Sequence, residues 1–289
     1  LAVGLLAATP SAGRESLRLP WVFSDEPDLS ADFGFDPGRD GRTRVTLDLG
    51  GRFAGFGLPS GAGAAPRLDI SAEITAPTQL QRDVSTLQAR VDLNEVLGEY
   101  GLSFARQHFG PASTLVYKAG LGTELEPGDY NVRLLIADPV LGVESRRTLH
   151  LLVPRLDAGQ WQLGDLRFIT AVGQRLDERG KAQRWLDPNP WRQVGGSLGW
   201  DLQVAYSDLG PRPGGALKRK VTIRRLRGKG EPLWVDESDP PAKRREQVWI
   251  VHVPEAQIKV WKPGVHLLEV ELSAGGRTVR AAKSFEVIP

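Results

Sequence analysis

Through most of the chain, apolar and polar residues alternate one for one in runs closed by Gly, Pro and Asp. Val45, Leu47 and Leu49 share one face of the run Thr43–Leu49, and Asp69–Thr75 follows the same rule less regularly. Tyr130–Ile136 and Thr148–Val153 are strongly apolar. Further runs lie at Leu198–Tyr206, Val221–Leu226, Val248–Val253, His266–Leu272 and Val279–Ile288. Successive side chains of a strand point to opposite faces, so period-two runs of this length predict antiparallel sheet. Many short strands at even spacing predict a sandwich or a barrel. One stretch carries two periods. Between Thr78 and Gly101, Leu80, Val84, Leu87 and Val91 fit a helical stripe, whereas Leu87, Ala89, Val91 and Leu93 alternate with polar neighbours. We read a strand from Leu87 onward, with Gly98 and Gly101 in the following turn.

The chain also repeats itself. Glu126-Pro-Gly-Asp-Tyr-Asn-Val-Arg-Leu-Leu-Ile136 returns as Lys262-Pro-Gly-Val-His-Leu-Leu-Glu-Val-Glu-Leu272. In both copies a Pro-Gly turn opens a strand, and a second strand follows that ends before a proline, Pro154 or Pro289. Two copies of one terminal hairpin imply two copies of one domain. Tyr130 takes the place of an aromatic corner, and His266 stands there in the second copy. The predicted fold is therefore all-β: two tandem immunoglobulin-like antiparallel β-sandwich domains, at residues 17–155 and 156–289. An apolar N-terminal segment, residues 1–16, precedes them, and the boundary falls near Arg155-Leu-Asp-Ala-Gly159.

Pro127-Gly-Asp-Tyr130, the strand closing at Pro154 and Leu163-Gly-Asp-Leu-Arg-Phe168 resemble the non-catalytic β-sandwich region of bacterial GWxTD-domain envelope proteins. So do Asp187-Pro-Asn-Pro190 and the final Pro263-Gly264 hairpin. The resemblance covers residues 43–289. The motif that names the family is absent, since Gly199-Trp-Asp201 is only a fragment of it. The resemblance implies an exported bacterial envelope protein and brings no catalytic residues.

The N-terminus agrees with export. Leu1–Thr9 is apolar, and Pro10-Ser-Ala-Gly13 offers small residues to a peptidase, as at the end of a secretory signal. The stretch is shorter than the roughly 20 residues a membrane-crossing helix needs. The alternatives are an apolar strand or an uncleaved anchor. The 289 residues hold no Cys, which removes disulfides, thiolate metal sites and a cysteine nucleophile. They hold no Met either, as expected of the remainder of a longer precursor. Export to a periplasmic or cell-envelope location is the expectation.

Charge and aromatic residues are unevenly placed. Residues 1–155 carry 15 Lys/Arg against 19 Asp/Glu, and residues 156–289 carry 22 against 16, so the net charge of +2 hides two opposite halves. The basic excess gathers at Lys218, Lys220, Arg224 and Lys243-Arg244-Arg245. Lys218, Lys220 and Arg224 share a strand face with Thr222. Such a stripe suits lipid phosphates or an acidic partner, or else is a solvated face that guards against edge pairing. Nucleic acid is not expected, because the overall balance is not strongly basic. Of the eight Trp, seven lie between Trp161 and Trp261; Trp200 and Trp249 sit in apolar runs that predict core. Arg184-Trp185-Leu-Asp-Pro-Asn-Pro-Trp191-Arg192 reads instead as a turn-rich loop. Trp and Arg together favour protein interfaces, and Trp also stacks on sugars. Arg184, Trp185, Trp191 and Arg192 are the first binding candidates, and the basic residues above are the second.

Catalytic chemistry finds little footing. Gly195-Gly-Ser-Leu-Gly199 matches the pattern of a nucleophile elbow, with Asp208 or Asp236 and His252 or His266 downstream in hydrolase order. That elbow needs a strand, a sharp turn and a helix, and here a strand-like run follows. His108, His150, His252 and His266 form no metal-binding pair, and His150 and His252 lie in apolar runs that suggest structural roles. Asp32-Phe-Gly-Phe-Asp-Pro-Gly-Arg-Asp-Gly41 is acidic but lacks the ligand spacing of a calcium loop, and reads as a solvated loop. Gly55-Phe-Gly-Leu-Pro-Ser-Gly61 misses the dinucleotide fingerprint. The expectation is a protein with no cofactor and no metal that is not an enzyme. It would dock as a structural or accessory subunit on the protein subunits of a membrane-associated or envelope assembly, with peripheral or N-terminal contact to the membrane. The alternative is a carbohydrate-binding module using the Trp pair as a platform.

Overall fold

The computed structural model describes residues 21–23, 29–52, 67–76, 83–92, 116–139, 142–157, 159–176, 182–190, 192–195, 201–226, 231–239 and 248–288. Nearly all of them are strand. In chain order these are β1 (Trp21–Phe23), β2 (Leu29–Pro37), β3 (Thr43–Arg52), β4 (Arg67–Thr75), β5 (Asp83–Asp92), β6 (Val116–Leu125), β7 (Gly128–Asp138), β8 (Val143–Val153) and β9 (Gln162–Leu163). There follow β10 (Arg167–Leu176), β11 (Ala182–Pro188), β12 (Gln193–Gly195), β13 (Leu202–Leu209), β14 (Lys218–Arg225), β15 (Trp234–Ser238) and β16 (Val248–Val253). A single helical turn, α1 (Glu255–Ile258), precedes β17 (Gly264–Ala274) and β18 (Arg277–Ile288). The N-terminal segment 1–16, the glycine-rich stretch 55–61, Leu93, Gly98 and Gly101, His108, Ser197 and Trp200 lie outside the described residues.

The alternating pattern does what it predicts. In β4 every second residue is buried, and Leu68, Ile70, Ala72 and Ile74 form one wall of a core. Of the segment with two competing periods the described part, residues 83–92, is strand from Asp83, earlier than the expected Leu87. Two strand sheets, β1-β2-β3-β6 and β5-β4-β7-β8, share the first hydrophobic cluster. Two more, β11-β10-β13-β16 with β9 added on β13, and β12-β18-β17-β14-β15, share the second. Pairing is antiparallel throughout except where β12 runs parallel to β18. There Gly195, at φ 91°, brings its backbone so close that a Cβ would lie 3.0 Å from the carbonyl oxygen of Ile288. Truncating a fully buried leucine such as Leu47, Leu68 or Leu134 to alanine costs about 2–5 kcal/mol.

The two halves share a strand order. β2-β3-β6 in the first corresponds to β10-β13-β16 in the second, and β5-β4-β7-β8 corresponds to β15-β14-β17-β18. The repeated sequence segments are the hairpins β7–β8 and β17–β18. At the start of the first hairpin Tyr130 donates its hydroxyl to the Glu126 carbonyl at 2.9 Å, the corner its position predicts. In the second, His266 is fully buried and stacks on Trp261 with ring centroids 5.9 Å apart, while its Nδ1 lies 2.8 Å from the Gly264 carbonyl.

Candidate functional site

Polar chemistry concentrates where the two halves meet. On β2 the apolar residues Ala31, Phe33 and Phe35 turn to the first core, so Asp32, Gly34 and Asp36 turn outward. On β3 the same rule puts Val45, Leu47 and Leu49 inward and Thr46 and Asp48 outward. Antiparallel register sets Asp32 opposite Asp48 and Gly34 opposite Thr46, with Gly120 and Gly122 of β6 on the far side of β3. The outer face of this sheet is thus acidic and low in bulk, which admits long cationic side chains.

Those side chains come chiefly from the second half. Arg192 pairs with Asp32, and Lys283 reaches the other Asp32 oxygen at 3.2 Å. Lys283 also holds Asp165 at 3.1 Å and donates to the Phe33 carbonyl at 3.2 Å. Arg167 pairs with Asp36 at 2.7 Å, its guanidinium lying over Gly34. In return, Lys118 of the first half pairs with Asp187 at 2.7 Å and meets the Thr170 hydroxyl at 2.9 Å. Asp32, Arg192 and Lys283 are each no more than 6% exposed. Removing one partner from such a pair leaves a buried charge and costs about 3–5 kcal/mol.

Local geometry places these groups. Between β9 and β10 one extra residue interrupts the pairing with β13, because Leu163 faces Asp208 while Arg167 faces Ala205. A bulge of this kind re-aims a side chain, and here it turns Asp165 towards Lys283. Arg192 adopts a left-handed backbone, φ 45°, unusual for a bulky residue. Its carbonyl accepts from the Glu286 amide at 2.9 Å and its amide donates to Asn189 at 3.2 Å, which hold that conformation. Burial drives the Asp48 carboxyl up to about 6, with Arg167 opposing. Burial also raises Asp165, opposed by Lys283. Beside the ion pairs lies a cavity of about 120 Å³, with Phe33, Phe35, Leu152, Leu163 and Leu166 in its walls.

The binding candidates from the sequence divide. Trp191, Lys243, Arg244 and Arg245 lie outside the described residues. Arg184 and Trp185 are not in a loop: they belong to β11, with Trp185 opposite Gly173 and Arg184 opposite Gln174 of β10. Pro188 is the last residue of that strand, and the turn signal of Pro188-Asn-Pro190 marks its end rather than a loop through Trp185. Arg192 corrects the expectation of an outward contact, since its charge is taken up by Asp32 inside the molecule. Lys218, Lys220 and Arg224 are exposed on one face of β14, as their spacing predicts. They do not form a bare cationic stripe. Lys220 pairs with Glu237 at 2.7 Å and Arg224 with Glu269 at 3.0 Å, making a ladder of mixed sign.

The acidic stretch from Asp32 is also corrected: residues 32–37 are strand, and Asp32 is buried and paired rather than solvated. Elsewhere, Asp208 accepts from the indoles of Trp161 and Trp249 and pairs with Arg212, and Asp236 pairs with Arg219. His252 lies 2.5 Å from Asp201, which also accepts from the Glu255 amide at 2.7 Å, and His150 lies 3.2 Å from Asp129. These histidines face outward on their strands. Among the described residues no cluster of three metal-ligating side chains occurs. No helix of the described residues is long and apolar enough to cross a membrane.

No protein-family model matches the sequence. No curated protein matches it significantly. Among solved structures the chain is similar to a β-glucuronidase from Parabacteroides merdae, at 9% identity and a TM-score of 0.25 over 84% of this chain. It spans 27% of that enzyme's chain. It is also similar to α-2-macroglobulin from Escherichia coli, at 14% identity and a TM-score of 0.25, covering 92% of this chain and 17% of that one. Latent PorU from Porphyromonas gingivalis matches at 13% identity and a TM-score of 0.28, over 93% of this chain and 21% of that one.

Sequence inspection missed the seam. Asp32, Asp165 and Arg167 lie in stretches notable for other reasons and Asp48 and Lys283 within alternating runs, and the five become a cluster only through sheet register and the packing of the two halves.

Proposed function

We propose that the chain is a non-enzymatic exported protein that docks as a structural or accessory subunit on a larger membrane-associated or envelope assembly. Its body is two tandem immunoglobulin-like antiparallel β-sandwich domains, at residues 17–155 and 156–289, and its N-terminal segment directs it to the periplasm or cell envelope. The observation that carries this proposal is the duplication: one strand order occurs twice, each time around its own core. The strands common to both halves, three facing four, form an arrangement compatible with immunoglobulin-like modules, and the Tyr130 corner is one of their hallmarks. The resemblance to the β-sandwich region of GWxTD-domain proteins points the same way.

Modules of this kind act by surface complementarity through loops and exposed faces. Trp185, Arg184 and Trp191 supply the anchor for a protein partner, and Lys218, Lys220 and Arg224, with Lys243, Arg244 and Arg245, supply the charged contact. Arg192 is not part of that contact. The test is purification of the native protein from its source membranes in gentle detergent, followed by cross-linking mass spectrometry. Cross-links from Lys218 or Lys220 to an integral membrane protein are expected. Elution as a lone soluble species without such cross-links overturns the proposal.

A further inference from the structure

The seam carries a cluster of ion pairs, and its acids are not equally served. Asp32, Asp36, Asp165 and Asp187 each have a direct cationic partner. Asp48 has no ion pair among the described residues, although it sits directly across the β2–β3 pairing from Asp32. Like charges in that position repel. The groups around Asp48 are Asp32 and Asp36 of β2 and Lys118 of β6 on its own sheet. From the other half Arg167 of β10, Lys283 of β18 and Asp165 of the bulge act on it, while Arg192 and Asp187 of β11 meet its sheet at Asp32 and Lys118. Parting the halves would give the outward face of β3 back to water and take Arg167, Arg192 and Lys283 away from it. The cavity beside the ion pairs shows that this contact is not packed solid.

We propose that the seam is a proton-governed clasp between the two halves, tight when Asp48 carries a proton and looser when Asp48 is ionised. The sign follows from linkage. In the closed seam burial raises the Asp48 carboxyl to about 6 from an ordinary value of 3.8. A carboxyl raised in the closed state binds its proton better there than when open. Closure therefore strengthens as pH falls through about 6 and gains nothing further below the ordinary value. Asp165, raised by the same burial, adds in the same direction. The ratio of closed to open molecules rises about tenfold between pH 8 and pH 5, and approaches about a hundredfold only below the ordinary value.

The chain holds no Cys, so a pair of dyes can be placed without removing any residue. Gln88→Cys on β5 and Arg277→Cys on β18 are exposed positions, one in each half. Single-molecule energy transfer on the full chain is expected to give one narrow population near pH 5 and an added, longer-distance population near pH 8. With Asp48→Asn the narrow population should persist at both values. A distance distribution that is the same at both pH values in the parent, or an Asp48→Asn chain that responds as the parent does, overturns the clasp. An NMR titration of aspartate carboxyl carbons in the unsubstituted chain needs no variant at Asp48. A midpoint for Asp48 near 6 supports the clasp, and one below about 4.5 overturns it.

Discussion

Arg192 reaches from the second half of the chain to close on Asp32 of the first, and it does so from a left-handed backbone conformation. Both side chains are buried, so neither can be rehydrated when the other is lost. Arg192→Ala is expected to destabilise the protein by about 1–3 kcal/mol, because Lys283 stays on the other Asp32 oxygen, whereas Asp32→Ala leaves the buried Arg192 charge without its carboxylate and should cost about 3–5 kcal/mol. Urea denaturation of Arg192→Ala, Asp32→Ala and the double variant forms the check. The double variant should cost clearly less than the two single losses combined; simple additivity would mean that the pair does not interact.

Gly34 tells the same story through space rather than charge. A Cβ there would lie 2.9 Å from Nε and Nη2 of Arg167, and that same Nη2 holds Asp36. The guanidinium has to leave its place to admit a methyl group. Gly34→Ala should destabilise by about 1–3 kcal/mol, the usual range for overfilling a packed site. In an Arg167→Ala background the same substitution should be nearly neutral, because the obstructing group is gone. A full loss in both backgrounds would show that the close approach is unimportant.

The sequence made the strands legible and left the seam hidden, and β2 shows why. Phe33 and Phe35 already alternate with Asp32, Gly34 and Asp36, yet aspartate and glycine are also the residues of loops. Whether an alternating polar face meets water or another sheet depends on packing that no single strand encodes. Trp185 illustrates a similar ambiguity at β11, where Pro188 closes the strand and Pro190 follows, so a turn-rich composition overlaps the strand's own end. The repeated Pro-Gly hairpins were legible because each is local: a turn, a strand and a partner a few residues away. Lys283 and Asp32 are near opposite ends of the chain, and only the folded register brings them together.

At the first hairpin the Tyr130 hydroxyl is held by the Glu126 carbonyl four residues earlier, which pins the turn into β7. Tyr130→Phe keeps the ring in the core and deletes that bond alone. A loss of about 1 kcal/mol is expected, the net worth of one hydrogen bond. Thermal or urea unfolding will read it, and an unchanged midpoint would mean that the ring rather than the hydroxyl makes the corner.

His266, the counterpart of Tyr130, turns the second hairpin into a titrating one. The Gly264 carbonyl can only accept, so Nδ1 carries the proton, and Nε2 is buried without a hydrogen-bond partner among the described residues. Burial lowers the basicity of the ring, and the positive charge of Arg225 lowers it further. The unfolded chain therefore takes up a proton more readily than the folded one as pH falls. The contribution of His266 to stability is complete above the ordinary histidine value of about 6.5 and declines as pH drops below it. Asp48 acts in the opposite sense near pH 6, so the two must be separated by difference. Subtracting the stability of His266→Gln from that of the parent cancels the Asp48 contribution. The remainder should be larger near pH 7.5 than near pH 5.5, and a remainder that does not change with pH would mean that the folded ring takes up a proton as readily as the unfolded one.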